Sequence, residues 1–236
     1  LSVPFAYPPF GFYFARLISD LFAVPELDLL RWLPPFVNSL SILAFYLLAS
    51  ELMRSKSLGA LASAFYALTP GAFGWFVMGG GLTRSFGSLF LLLTVYSALR
   101  LFQSGGKKFT ALSILFGGLT VLSHPEAGIH AAVTCILVWI FFGRSLTSLF
   151  NSILVGVGVF LMTSPWWGTV ISFHGLTPFL SAVHTGSYGT PLWKALLGLI
   201  AGDGVIPILA LLRLIGLGWG LWKKQYFLLA WVLIPY

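Results

Sequence analysis

An arginine that follows a run of glycines has the clearest binding chemistry in the chain. Gly79-Gly80-Gly81-Leu82-Thr83-Arg84 joins two apolar segments, and its glycines let the backbone turn sharply with exposed N–H groups. Arg84 then stands at a helix N-terminus, where the dipole favours anions and a guanidinium adds donors that suit a phosphate. The run lacks the Gly-Lys-Ser/Thr ending of a P-loop. Arg84 is therefore predicted either to bind an anionic group or to snorkel to the lipid headgroups.

A second turn carries an imidazole and a carboxylate. In Ser123-His124-Pro125-Glu126, Pro125 is predicted to start a helix with Glu126 in its first turn, where the dipole favours a negative charge. His124 can carry a proton, ligate a metal or donate to a phosphate. The alternative is a capped helix start in which the backbone satisfies His124. His130 lies one turn beyond Glu126, but two ligands do not make a metal site, so no metal ligands are assigned. The catalytic residues stay unknown, with His124 and Glu126 as candidates.

Two further segments place polar or aromatic groups beside apolar runs. The proline pair of Tyr7-Pro8-Pro9-Phe10 indicates either a plain helix start or a junction that shapes a substrate cleft. Thr163–Trp167 is predicted to end a span, as an interfacial aromatic belt or a platform for a sugar or lipid. A connector from about residue 168 to 203 is of the kind that often covers a site, and it contains His174, His184, Tyr188, Lys194 and Asp203.

The composition requires a membrane setting for these residues. Of the 236 residues 58% are hydrophobic and only 8% are charged, against roughly 25% charged in a soluble domain. A soluble enzyme, a disordered chain and a coiled coil are thereby excluded. The net charge of +7 is interpreted as membrane topology and contact with anionic lipids, with no nucleic acid as partner. A single cysteine excludes an intrachain disulfide framework.

The predicted fold is all-α, a polytopic transmembrane helical bundle of about seven to eight spans. The chain is expected to form one transmembrane domain over 1–236, cut from a longer protein at both ends. An N-terminal helix over 10–24 contains Arg16 and Asp20 at i, i+4, so the two can pair. It either lies at the interface, as an interfacial or re-entrant helix, or spans. The predicted spans are 36–52, 58–78, 84–102, 109–123, 126–142, 147–167 and 204–222, with an eighth starting near Gln225.

Charged residues divide between the two faces of this bundle. Basic residues fall on every second connector, which the positive-inside rule places in the cytoplasm; they are Arg54, Lys56, Arg100, Lys107, Lys108, Arg144, Lys223 and Lys224. All four histidines, with Glu126 and Asp203, lie on or near the opposite, outer face.

In this order, the motifs resemble the GT-C superfamily of membrane glycosyltransferases, above all prokaryotic relatives of protein mannosyltransferases and lipid A aminoarabinose transferases. Tyr7-Pro8-Pro9-Phe10 resembles the His/Lys-Pro-Pro-Leu element of that family, and Leu122–Glu126 resembles its Thr/Ser-His-Pro junction. Leu30–Pro34 resembles the Arg-Leu-Pro that opens the next span, and Leu52–Lys56 resembles the basic end of that span. Arg84 occupies the position where relatives carry an arginine at an outer helix start.

The resemblance implies a glycosyltransferase of a prokaryotic plasma membrane, with a polyprenyl-phosphate sugar donor and membrane lipids as partners and transfer on the outer face. Arg84 and Tyr7 are predicted to bind substrate, and His174, in the long connector, is predicted as a further substrate-binding residue. An acidic residue that serves as base or metal ligand is expected upstream of the Pro-Pro element, so before Leu1, and this segment alone is not expected to catalyse. Position 7 is Tyr rather than a basic residue. The cofactor stays unknown, since this segment does not support a divalent cation.

Two other functions stay open. A transporter or flippase of an anionic lipid or small solute also places charges in the membrane, but near the midplane and often in matching halves. No paired halves are visible here, and the polar groups gather at one face. A scaffold without chemistry fits only if the external acidic residue is absent.

Overall fold

The protein is helical throughout the part of the chain that its computed structural model describes, residues 7–78, 81–184 and 207–233, and those residues form no strand. The helices are α1 Phe10–Phe22, α2 Glu26–Met53, α3 Lys56–Leu68, α4 Gly74–Val77, α5 Leu82–Ser104, α6 Lys107–Ser123, α7 Pro125–Phe142, α8 Leu146–His174, α9 Thr177–His184, α10 Pro207–Trp222 and α11 Tyr226–Leu233, with a 3₁₀ turn at Pro70–Ala72. The all-α prediction is confirmed. The chain forms two compact units, Leu1–Phe173 and His174–Tyr236.

Length and hydropathy single out the membrane-crossing helices. Within the described ranges α2, α5, α7 and α8 are long and apolar enough to span. The segment from α3 to α4 makes a fifth span if its two parts, bent by 88°, are counted together. These are fewer than the seven to eight spans expected from the sequence. The 13 residues of α1 extend only about 20 Å, less than the ~30 Å hydrocarbon core, so α1 does not cross by itself.

Helix α5 is the centre of the first unit. It packs against α2, α6 and α7, and its buried side chains include Phe86, Leu92, Val95 and Leu99. Next to it, α6 approaches α8 closely through Gly117, where an added Cβ would lie 2.8 Å from Val159 Cγ2. The two helices pack closely here, because only glycine at this position leaves room for the neighbouring helix.

The two ends of α5 define two ends of the first unit. Arg100 Nη1 lies 2.9 Å from Glu51 Oε2, so α2 and α5 finish side by side at what we call the Arg100 end. Arg54, Lys56, Lys107 and Lys108 flank the same connectors. At the His124 end α1 and α5 begin and α6 turns into α7. The division of charged groups inferred from the sequence thus matches the helix order of this unit.

Three predicted helix boundaries are wrong. Helix α2 begins at Glu26, ten residues before the predicted span 36–52, and contains Pro34 and Pro35 in its interior. Helix α8 continues through Pro165 to His174, so Thr163–Trp167 does not end it. The reason at Pro165 is local: a proline leaves the carbonyl four residues earlier without its N–H donor, and the Ser164 hydroxyl donates to that Leu161 oxygen at 2.7 Å. The third is the predicted span over 58–78, which breaks after Leu68.

Candidate functional site

Four of the predicted site residues meet at the His124 end. The Tyr7 hydroxyl lies 3.3 Å from Thr83 Oγ1, in the first turn of α5. The Tyr7 ring meets the His124 ring edge-on, with 6.4 Å between centroids. We call Tyr7, Thr83, Arg84, His124 and Glu126 the His124 cluster. Three separate segments, the α1 start, the α5 start and the α6–α7 turn, contribute to it.

Helix α1 begins as the proline pair predicts. Pro9 is the N-cap residue, and its carbonyl accepts the Tyr13 N–H at 3.0 Å. Pro8 is fully buried, which fixes the chain just after Tyr7. Further along, Gly11 faces Thr83, where an added Cβ would stand 3.3 Å from Thr83 Cγ2. This close approach holds α1 against the first turn of α5.

His124 occupies the turn between α6 and α7, outside both helices. Its N–H donates to Thr120 O at 2.9 Å, and its carbonyl accepts the Gly128 N–H at 3.1 Å. Helix α5 passes so close at Gly87 that an added Cβ would lie 2.7 Å from His124 Cβ. The backbone on both sides and the glycine opposite therefore define the position of the imidazole.

Burial lowers the pKa of His124, because the charged imidazolium loses hydration. Glu126 acts in the other direction by stabilising the cation, while the proximity of Arg84 and His130 lowers the pKa of His124 further. The ordinary pKa of histidine is already near 6.5. His124 is consequently a neutral imidazole at pH 7, able to donate from one nitrogen and accept at the other.

Arg84 is half-buried in the first turn of α5 and has a distinctive partner. Its guanidinium carbon lies 4.3 Å from the centre of the Trp75 ring, a cation–π contact. Among the described residues no side chain pairs with it by a hydrogen bond or salt bridge. Within the described ranges its N–H donors therefore have no side-chain partner.

The region that contains the His124 cluster matches a known protein family. The model of the dolichyl-phosphate-mannose-protein mannosyltransferase family matches residues 6–168, more than half of the chain. The chain belongs to this family. No curated protein and no solved structure is significantly similar to it.

Membership in the mannosyltransferase family establishes the coarse function. The protein is an integral membrane protein of a glycosyltransferase family that uses polyprenyl-phosphate sugars. The matched region contains the whole His124 cluster, from Tyr7 to Glu126. The GT-C resemblance inferred from the motifs is therefore confirmed.

The mannosyltransferase-family region also has an apolar groove beside the cluster. Its volume is about 300 Å³, and the residues that line it are Pro9, Phe10, Tyr13, Phe14, Leu17 and Leu122. Pro9 and Phe10 follow Tyr7 closely in the chain, and Leu122 precedes His124 by two residues. The groove thus adjoins the polar cluster.

The remaining predicted residues have different placements. Glu126 is exposed in the first turn of α7. His174 is exposed at the last position of α8 and belongs to the second unit. His184 ends α9, and Tyr188, Lys194 and Asp203 lie outside the described residues. Within the described ranges no three His, Cys, Asp or Glu side chains gather as metal ligands would.

Two members of this arrangement were missed in the sequence, Thr83 and Trp75. Thr83 precedes Arg84 in the sequence, so its place near Arg84 was predictable. Its hydrogen bond to Tyr7 was not, because that bond depends on how α1 packs against α5. Trp75 precedes Arg84 by nine residues and reaches it only because the span breaks at Pro70, a bend that hydropathy does not report.

Proposed function

We propose that the full-length protein transfers a sugar from a polyprenyl-phosphate donor to an acceptor at the outer face of a prokaryotic plasma membrane. The observation that carries the proposal is Arg84: a half-buried guanidinium without an anionic partner among the described residues, beside a neutral imidazole in a family that uses lipid phosphates.

In this reaction an acceptor nucleophile attacks the anomeric carbon of the sugar, the bond from that carbon to the phosphate oxygen breaks, and the polyprenyl phosphate leaves with the bonding electron pair. Arg84 stabilises the departing phosphate, because charge grows on its oxygens as the bond breaks. His124 and Glu126 are the candidate acceptors for the proton that the nucleophile loses.

The other residues at this end offer a polar contact for the phosphate sugar and an apolar surface for the polyprenyl chain of the donor. Tyr7, where relatives carry a basic residue, offers a neutral hydroxyl held by Thr83. The apolar groove lined by Phe10, Phe14 and Leu122 suits part of a polyprenyl chain, since burying its methyl-rich surface is favourable. His174 is proposed as a further substrate-binding residue.

The test is a transfer assay with the full-length protein in nanodiscs and a radiolabelled polyprenyl-phosphate sugar. We expect Arg84→Ala to lower kcat/KM about 10- to 100-fold, the effect of losing charged hydrogen bonds worth ~1.5–3 kcal/mol. Arg31→Ala is the matched control, because Arg31 is an exposed arginine beside a tryptophan at the start of α2. Unchanged transfer by Arg84→Ala would overturn the assignment.

One observation favours the transporter alternative. The 88° break between α3 and α4 is of a kind that transporters use at their binding sites. Movement of a fluorescent polyprenyl phosphate between leaflets, without release of sugar, would favour that function. Release of polyprenyl phosphate that depends on the acceptor would favour the transferase.

A further inference from the structure

The break between α3 and α4 has an evident structural consequence. After α3 ends at Leu68, Pro70 starts a 3₁₀ turn, and α4 leaves at 88° to α3. The Thr69 hydroxyl donates a hydrogen bond to the Phe65 carbonyl at 2.7 Å. This carbonyl in the last turn of α3 therefore keeps a hydrogen-bond partner although the helix stops. The chain then runs back toward the first turn of α5 and brings Trp75 with it.

Gly81, directly before α5, fixes the position of the chain that comes back from α4. Its N–H donates to Met78 O at 2.7 Å. An added Cβ at Gly81 would overlap the Phe76 carbonyl oxygen, and backbone cannot move aside as a flexible side chain can. Glycine at this position therefore allows α4 to approach the start of α5.

We propose that Trp75 is a positioning residue for the anion site of Arg84; this inference rests on the proposed function. In a face-on contact, which the 4.3 Å separation allows, the indole attracts the guanidinium without using its N–H donors, because these lie in the plane of the cation and point away from its centre within that plane. A carboxylate in the same place would neutralise Arg84 and take those donors. The ligand chemistry is a phosphate monoester or diester.

The chain offers a close control for this pair. Arg31 lies over the Trp32 ring with 6.0 Å to its centroid, so it is also an arginine–tryptophan pair, at the start of α2. Trp75 itself is 57% exposed. Its replacement therefore leaves no large cavity, and a folded variant is expected.

The experiment is a double-mutant cycle on the full-length protein in nanodiscs, with polyprenyl monophosphate as the probe. We expect Trp75→Leu to raise the Kd about 2- to 10-fold, the range of a partly exposed cation–π contact. Trp75→Phe keeps an aromatic face and should retain most of the affinity, while Trp32→Leu should leave the Kd unchanged. In an Arg84→Ala background, Trp75→Leu should have no further effect.

The outcomes separate the two proposals. An equal loss from Trp75→Leu in both backgrounds, or no loss while Arg84→Ala still weakens binding, overturns the role of Trp75 and leaves the anion site standing. An Arg84→Ala variant that binds as tightly as the wild type overturns the site itself. Competition by millimolar inorganic phosphate would identify a site for free phosphate. Binding of polyprenyl monophosphate that survives this competition, with no binding of the uncharged polyprenol, would identify a lipid-headgroup site.

Discussion

Two arginines on one helix have opposite environments. Arg84 and Arg100 both lie in α5, sixteen residues and roughly 24 Å apart, and both are half-buried beside an aromatic ring. Arg100 is 2.9 Å from the Glu51 carboxylate and 5.3 Å from the Phe109 ring centre. Arg84 has the Trp75 ring at 4.3 Å and no carboxylate among the described residues.

The difference supports the proposal that Arg100 has a structural role and that Arg84 binds a ligand. At the Arg100 end the guanidinium joins α2, α5 and α6, and its charge is neutralised within the fold. At the His124 end no described residue neutralises Arg84, burial of the neighbouring imidazole favours its neutral form by lowering the pKa of His124, and the flanking segments are fixed by close glycine contacts. A half-buried charge without an anionic partner is costly, and no described residue supplies such a partner to Arg84, which supports the proposal that a ligand binds there.

The largest expected effect is all-or-none and concerns sidedness. With Cys135 replaced by Ala, single cysteines are placed at exposed positions of the two ends, Glu126→Cys and Ser104→Cys. An impermeant maleimide added to intact cells should label Glu126→Cys and spare Ser104→Cys, because the basic connectors are predicted to be cytoplasmic. Permeabilised cells, in which both should react, are the control. The reverse pattern would place the His124 end in the cytoplasm.

The next effect is on stability. Arg100→Ala should lower the free energy of unfolding by about 1–2 kcal/mol, since it leaves Glu51 partly buried without its partner and the pair is about one third exposed. Thermal unfolding in detergent measures this as a lower Tm. Arg84→Ala, which breaks no ion pair with any described residue, should change the Tm less; an equal drop in both variants would remove the distinction between the two ends.

A smaller effect is expected with pH. Because the folded pKa of His124 lies below its unfolded value, the unfolded chain binds more protons, and stability is lost as the pH falls below about 6.5. The Tm of the wild type should therefore fall more steeply between pH 7 and pH 5 than that of His124→Asn. At pH 8 the imidazole is neutral in both states, so that measurement supplies the baseline. Parallel curves would mean that His124 titrates normally.

Hydropathy, together with the glycines and prolines that interrupt apolar runs, predicted the ends of α5, α6 and α7 within about two residues. The interruptions are Gly105-Gly106 and Pro125. The Arg16–Asp20 pair, 2.8 Å in the structure, followed from its i, i+4 spacing. Prolines inside spans were the main source of error. Where a neighbouring hydroxyl satisfies the freed carbonyl, as Ser164 does, a helix continues through a proline.

The cluster was predictable in part. Arg84, His124 and Glu126 each stood at a helix start that the sequence marks, and the alternation of spans placed those starts at one end. The partners that define their chemistry were not predictable, because Trp75 depends on a bend angle and Thr83 on how α1 packs against α5.

Polyprenyl monophosphate titrated into nanodiscs that hold the full-length wild type, Arg84→Ala or Arg100→Ala tests the central claim most directly. We predict that Arg84→Ala weakens binding about 10- to 100-fold and that Arg100→Ala binds as the wild type does at a temperature where it stays folded. Equal affinity of wild type and Arg84→Ala, or an equal loss in both variants, would contradict the assignment of the His124 end as the phosphate site.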